Sequence, residues 1–383
     1  MKSLSILSLL TIATAFVSCQ KNEEATLQLR TKIEASKITA STPYASTFLD
    51  ASNNSTVDFS AGNAKLEMFR GLDTYINLNK TQAISADISK NIYANIGNPF
   101  TAAYTSNFST LNAIGFNLKS FTAASFSTSE ANTVRQKIET DLTANAALVN
   151  SLSVIASNGV AGKLGTYMVD SKGIEVAQVI QKGLIGAFQI DYINNVLLSA
   201  GLNADNSKLV DGKNYTQLEQ NWDQAYGVLT TNSIYLAGST DAVRGTTEFG
   251  LGSYVWEFNK TNYSNIYLAF LKGRAAIVNN DRAELEKQAL FIRTQFEIAI
   301  ANSALGYLTK WGTSTTDAAR AHAISEGLGF IYSLRFCKTY TADSKFSDDI
   351  LTALIGSTNG FWDLTSSKTS TASVAIKTKF NIN

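Results

Sequence analysis

His322 and Glu326 stand four residues apart in a segment that reads as helix, so both side chains leave one face. An imidazole and a carboxylate placed this way can share a metal ion or form a hydrogen-bonded pair. A metal site needs three or four protein ligands. The chain has 1 histidine, so the others must be carboxylates such as Glu219 or Asp223. Such an oxygen-rich set suits iron, Mn²⁺ or Ca²⁺ better than zinc. The competing reading is a helix histidine paired with its own glutamate. Glu175 and Lys182 are the second oddity: two charges in a segment, 173–199, that is apolar nearly all round. A buried charge is costly without a partner, so both either pair at an end of the bundle or serve a ligand. Trp222 and Tyr226, with Trp256, Trp311, Trp362 and Tyr254, form either a ligand platform or core. Cys337 reads as a small buried apolar residue. No H-E-x-x-H, Walker A, G-x-S-x-G or C-x-x-C motif is present.

The elements that position these residues are helices. Only 2 prolines occur, Pro43 and Pro99, and no run of β-branched alternation suggests a sheet as a main element. From Asn63, Leu66, Phe69, Leu72 and Ile76 make one apolar stripe. Residues 129–156 read as helix through Val134, Ile138, Leu142 and Leu148. Segment 173–199 must be central, because a helix apolar on every side is buried. Gly183 and Gly186 inside it imply close approach of a neighbouring helix, since each otherwise costs up to about 1 kcal/mol. Helices follow over 262–278, 282–309 and 316–338, the middle one opened by Asp281 with Glu284 as a capping-box variant. Its Leu285, Ala289, Ile292, Phe296 and Ala299 form an antiparallel seam. Residues 100–127 fit no single element. Trp222–Val228 and Ile324–Phe330 match in register, each with a glycine (Gly227, Gly329) that belongs at an inter-helix contact.

The chain has 383 residues, 45% hydrophobic and 16% charged, with Lys+Arg 32 against Asp+Glu 31. That excludes an intrinsically disordered chain and leaves no field to capture nucleic acid. The 2 cysteines cannot build a disulfide scaffold. One of them ends an address. Lys2 precedes an apolar run from Leu4 to Val17, too short to span a bilayer, and Phe16-Val17-Ser18-Cys19 follows. This resembles a lipobox, in which Cys19 is lipidated and becomes the mature N-terminus. Gln20-Lys21-Asn22-Glu23-Glu24 behind it looks like a surface-export signal or a solvated tether.

Four stretches carry a wider resemblance: Ala64–Met68, Gly173–Ala187, Tyr215–Gly227 and His322–Phe330. Together they resemble a family of bacterial surface or outer-membrane lipoproteins classed as a domain of unknown function, over nearly the whole mature chain. The chain is similar, more distantly, to imelysin-like proteins, which are helical double-bundle envelope proteins associated with iron uptake. His322 and Glu326 match that group's second motif. Its first motif has histidines before the tryptophan and a glutamate two places after it; here Gln220, Asn221 and Gln224 stand there, which weakens a metal site.

The expectation is therefore an all-α helical bundle behind a signal peptide (1–18) and a lipidated tether with an irregular entry segment (19–61). The body is 62–383, and if the heptapeptide match is a true repeat, its halves are about 62–230 and 231–383. The functional expectation is a lipoprotein anchored at the outer-membrane surface that binds a ligand or partner. Iron or haem acquisition beside an outer-membrane receptor or transporter is the leading form, with iron or another divalent metal as cofactor. His322, Glu326 and, more weakly, Asp223 are its metal candidates, and Trp222 and Tyr226 its ligand candidates. The rivals are a glycan-binding nutrient-uptake lipoprotein and a metal-dependent hydrolase using His322 and Glu326. A binder is favoured over an enzyme.

Overall fold

A computed structural model describes residues 28–232, 242 and 248–383. Cys19, the leader before it and the charged stretch after it lie outside the described residues. The longer helices are α1 (Ser60–Ile76), α2 (Ala86–Ala94), α3 (Thr128–Ala147), α4 (Val176–Leu184), α5 (Gln217–Leu229), α6 (Leu251–Phe258), α7 (Tyr263–Asn279), α8 (Arg282–Thr313), α9 (Asp317–Ser333), α10 (Ser344–Ile355) and α11 (Ser366–Phe380). Among the described residues the only sheet is an antiparallel hairpin of β1 (Gly162–Leu164) and β2 (Tyr167–Val169). The architecture is all-α, as the periodicity predicts. No described helix is long and apolar enough to cross a membrane.

The centre of the molecule is α4, which runs directly into a π-helical segment, Ile185–Leu197. Almost every side chain from Ile174 to Leu197 is buried, as an all-round apolar sequence requires. The switch to π geometry is not legible in the sequence. Polar side chains anchor it from outside: the Ser333 hydroxyl accepts from the Gly186 N–H at 3.0 Å, and Gln189 Nε2 donates to the Val228 carbonyl at 3.0 Å. The antiparallel seam is real, with Leu285, Ala289, Ile292, Phe296 and Ala299 all buried on α8, between α7 and α9.

Caps set the ends. Ser127 with Glu130 and Thr216 with Glu219 complete capping boxes on α3 and α5. Asp281 caps α8 by accepting from the Glu284 N–H at 3.0 Å, but Glu284 turns to Lys287 and Gln288 instead of reaching back. The helix expected over 129–156 stops at Ala147 and tightens to a 3₁₀ turn at Leu148–Ser151; the next residues bridge to the hairpin. Likewise α9 ends at Ser333, short of residue 338. Residues 28–59 hold only a 3₁₀ turn (Ala35–Lys37) and a short helix (Tyr44–Thr47), and they pack onto the body, with Tyr44 and Phe48 fully buried.

Lys65 on α1 is buried with no carboxylate partner, its Nζ 4.2 Å from the Phe116 ring centre and 4.4 Å from that of Phe121. Burial pushes this amine down to about 8 from 10.5. The unfolded chain keeps the proton to higher pH than the folded one, so stability should rise from about pH 8 towards pH 10. The ring faces favour the charged form, so the gain stays below about 3 kcal/mol. Urea unfolding at pH 7 and pH 9.5 checks this: Lys65→Met should lose the rise that the parent shows, and an equal rise in both would refute it.

Candidate functional site

The two sequence oddities turn out to be one cluster. Gly173, at φ +76°, turns the chain so that Glu175 stands at the N-cap of α4, fully buried. Its Oε2 lies 2.6 Å from His322 Nδ1 on α9, and its Oε1 lies 3.0 Å from Lys80 Nζ. His322 Nε2 is 3.4 Å from Glu326 Oε2, and Lys182 Nζ is 2.9 Å from Glu326 Oε1. Lys182 also donates to Gln178 at 2.6 Å and to Gln181. The His322 ring stacks on Tyr167 of the hairpin, with centroids 4.3 Å apart. Burial pushes Glu175 up, but the His322 hydrogen bond and Lys80 outweigh it and hold the carboxyl below its usual range. Asp73 on α1 faces the same lysine; burial drives it up to about 6, against the pull of Lys182 and Gln181.

The result is a continuous chain of polar contacts, Lys80–Glu175–His322–Glu326–Lys182, with a lysine at each end and the imidazole between two carboxylates. Both imidazole nitrogens and both carboxylates are engaged within it. The ammonium groups already supply the positive charge that a metal would bring, and a cation among them would be repelled. Among the described residues no three His, Cys, Asp or Glu side chains form a group that could hold a metal ion. His322 and Glu326 are thus brought together as the spacing predicts, but as an ion-paired relay that does not fit iron or haem.

Asp223 belongs to a second cluster. Its Oδ1 accepts from Tyr44 Oη at 3.0 Å and from Arg274 Nε at 3.1 Å. Arg274 Nη1 donates to Glu219 Oε1 at 2.8 Å and Nη2 to Thr56 Oγ1 at 3.0 Å. Arg30 closes the cluster by donating twice to Glu219, at 2.7 and 2.6 Å. Burial pushes Asp223 up to about 7, against the Arg274 guanidinium. Asp223 is therefore a structural ion-pair partner, not a ligand to a metal shared with His322. Trp222 and Tyr226 do not form a platform: both are fully buried, with Trp222 Nε1 donating to the Phe270 carbonyl and Tyr226 Oη to that of Asn232. Trp311 is buried too, and Trp256 and Trp362 are half-buried. Gln220 and Gln224 occupy the places that match His322 and Glu326 in the paired heptapeptides, and Gln224 accepts from Tyr192 Oη at 2.9 Å.

A cleft of about 390 Å³ opens where α5 and α8 begin and α7 ends. Leu202, Leu218, Ala276, Ile277 and Leu285 form its apolar floor, and Asn203, Asn206, Asn280, Asp281 and Arg282 its rim. Asn280, in the left-handed region at φ 56°, is the turn between α7 and α8. The residues that hold the N-terminal strap adjoin it, since Asn206, Ile277 and Asn280 also meet Leu29 and Arg30.

The sequence model of a family described as a domain of unknown function, DUF4856, matches residues 20–383. The chain belongs to this family. No curated protein and no solved structure matches it. Membership covers the body and both paired heptapeptides, and it assigns no activity to them.

Lys80, Tyr167 and Asp73 have no sequence signal that ties them to this cluster; their partners Glu175, His322 and Lys182 lie 95 to 155 positions away, brought in by folding alone. The cleft was masked for another reason. Asn279-Asn280 reads as a helix break, and nothing local says that the break opens on a hollow. Cys337 is fully buried, with burial pushing its thiol up, as a structural cysteine should be.

Proposed function

We propose that this protein is an envelope lipoprotein, anchored through Cys19, that binds a ligand or partner in the cleft between α5, α7 and α8 without transforming it. The observation that carries this reading is the cleft lining. Asp281 and Arg282 are its only charged side chains among the described residues, and each is engaged in holding the start of α8. Asp281 Oδ1 caps α8, while Arg282 donates to the Leu202 carbonyl, to Asn203 Oδ1 at 2.9 Å and to Glu286 at 2.6 Å. The lining offers no nucleophile and no acid–base pair, the minimum that a hydrolase needs.

Metal-dependent hydrolysis depends on His322 and Glu326, and the ion-paired chain gives it no support; iron or haem acquisition rests on the lipobox, the export-like tail, the helical repeat and the family resemblance, with His322 and Glu326 only as its metal candidates. Metal titration of the purified chain should find no stoichiometric iron or haem, with His322→Ala unchanged; uptake lost in that variant would restore the iron reading.

The cleft is tested by thermal-shift screening against glycans, peptides and small metabolites. A true ligand stabilises the folded chain by mass action. Ala204→Trp at the rim should abolish that shift with little effect on the unliganded melting point, and His322→Ala should keep it. Shifts that survive Ala204→Trp would place binding elsewhere.

A further inference from the structure

We propose that the cleft end of the molecule faces the membrane and receives an extended loop of an integral protein of the same leaflet. This rests on the anchored-binder reading above.

The first argument is length. Gln28 is docked, its Nε2 donating to the Val278 carbonyl at 2.7 Å, two residues before Asn280 at the cleft. Arg30 is clamped on Glu219. Eight residues lie between Cys19 and Gln28, and the nine steps that join them reach roughly 30 Å at most at about 3.3–3.6 Å each. The cleft therefore cannot leave the bilayer surface by more than that leash. The His322 cluster lies at the other end. Helix α8 starts at the cleft with Arg282 and runs 32 residues, about 48 Å at 1.5 Å per residue, before α9 turns back with His322 near its start.

The second argument is chemistry. Most of the charges lining this end are paired, Lys208 with Asp205, Arg282 with Glu286 and Lys287 with Glu284, and Lys32 and Lys213, without an ion pair among the described residues, stand on separate segments and do not form a cluster. An anionic headgroup surface would need an unpaired basic cluster. The rim instead offers amides. Asn203 Oδ1 is taken by Arg282 and Asn280 Oδ1 by Asn206, at 2.8 Å, which aims both Nδ2 groups away from those bonds, with no partner among the described residues. Fixed amide donors above an apolar floor suit peptide carbonyls and an apolar side chain of an extended segment.

The test uses the full-length chain in its own membrane. Radiolabelled palmitate on Cys19 checks the anchor alone, so that its failure is separable. Single cysteines at Ser207→Cys (cleft end) and Thr315→Cys (far end) carry a fluorophore, because Cys337 is fully buried. Headgroup-nitroxide lipids should quench the Ser207 label several-fold more than the Thr315 label; equal quenching, or the reverse, overturns the orientation. A photocrosslinker replacing Ser207, exposed beside the cleft and outside its lining, should then join to a loop peptide of an integral membrane protein, identified by mass spectrometry, and the Thr315 position should not. Crosslinks to lipid or glycan alone, or none, overturn the partner.

Discussion

Arg274→Ala should be the most damaging single truncation in the chain. Arg274 is fully buried and bridges two carboxylates, Asp223 and Glu219, while reaching Thr56 in the N-terminal strap. Removing one partner of a buried ion pair leaves a charge that water cannot reach, at about 3–5 kcal/mol. For a body of this size, the melting point should fall by on the order of 10 °C. The loss should also depend on pH. Burial already raises Asp223 to about 7, and without Arg274 it must rise further. The folded variant then holds a proton that the unfolded chain releases near 3.8, so its stability falls as pH rises. The deficit against the parent should therefore be smaller at pH 5 than at pH 8, by urea unfolding. An equal deficit at both would mean that Asp223 is not the stranded group. Arg274→Met combined with Asp223→Asn should recover part of the loss, because Glu219 keeps Arg30 as its partner and no carboxylate is then left stranded.

That cluster also shows where sequence reasoning reaches and where it stops. The helices with a strong stripe were legible from local information, since a pattern such as Leu66, Phe69, Leu72 and Ile76 is fixed by a 3.6-residue period, whereas α2, α6, α10 and α11 went unread. The i,i+4 pairing of His322 and Glu326 was legible for the same reason. What filled the rest of the site was not. Glu175 stands 147 positions from His322 and was readable only as a charge in need of a partner; the partner's identity depends on which helix packs against α4. The same holds for Trp222, whose aromatic character fits a platform and a core equally well until Phe270 and Gly273 are seen around it. The charges around His322 argue against a metal there. Two lysines, Lys80 and Lys182, arrive from distant segments and neutralise the carboxylates that a cation would have used.

Glycine positions give the sharpest test of that packing, because two of them on one helix should respond oppositely. Gly329 faces α4 so closely that an added Cβ would sit 2.5 Å from Lys182 Cβ and 3.0 Å from the Val179 carbonyl oxygen. Backbone cannot step aside, so Gly329→Ala should cost about 1–3 kcal/mol and pull Lys182 off Glu326. Gly327, two residues earlier, faces Tyr307 at 3.4 Å, an ordinary contact. Gly327→Ala should be neutral or stabilise by up to about 1 kcal/mol through helix propensity. The same contrast holds on the central helix: Gly186 would meet Ser333 Cβ at 2.3 Å, whereas Gly183 has ordinary room, 3.4 Å from Tyr332. Gly227, the counterpart of Gly329 in the paired heptapeptides, meets the Phe59 carbonyl oxygen at 2.7 Å and Gly62 at 3.2 Å, so Gly227→Ala should match Gly329→Ala in cost. Both glycines thus let a helix ride directly on the backbone of a partner, the shared constraint that the sequence match encodes. Denaturant midpoints of the Gly327, Gly329 and Gly227 variants decide it: three equal shifts would show that the register match has no packing basis.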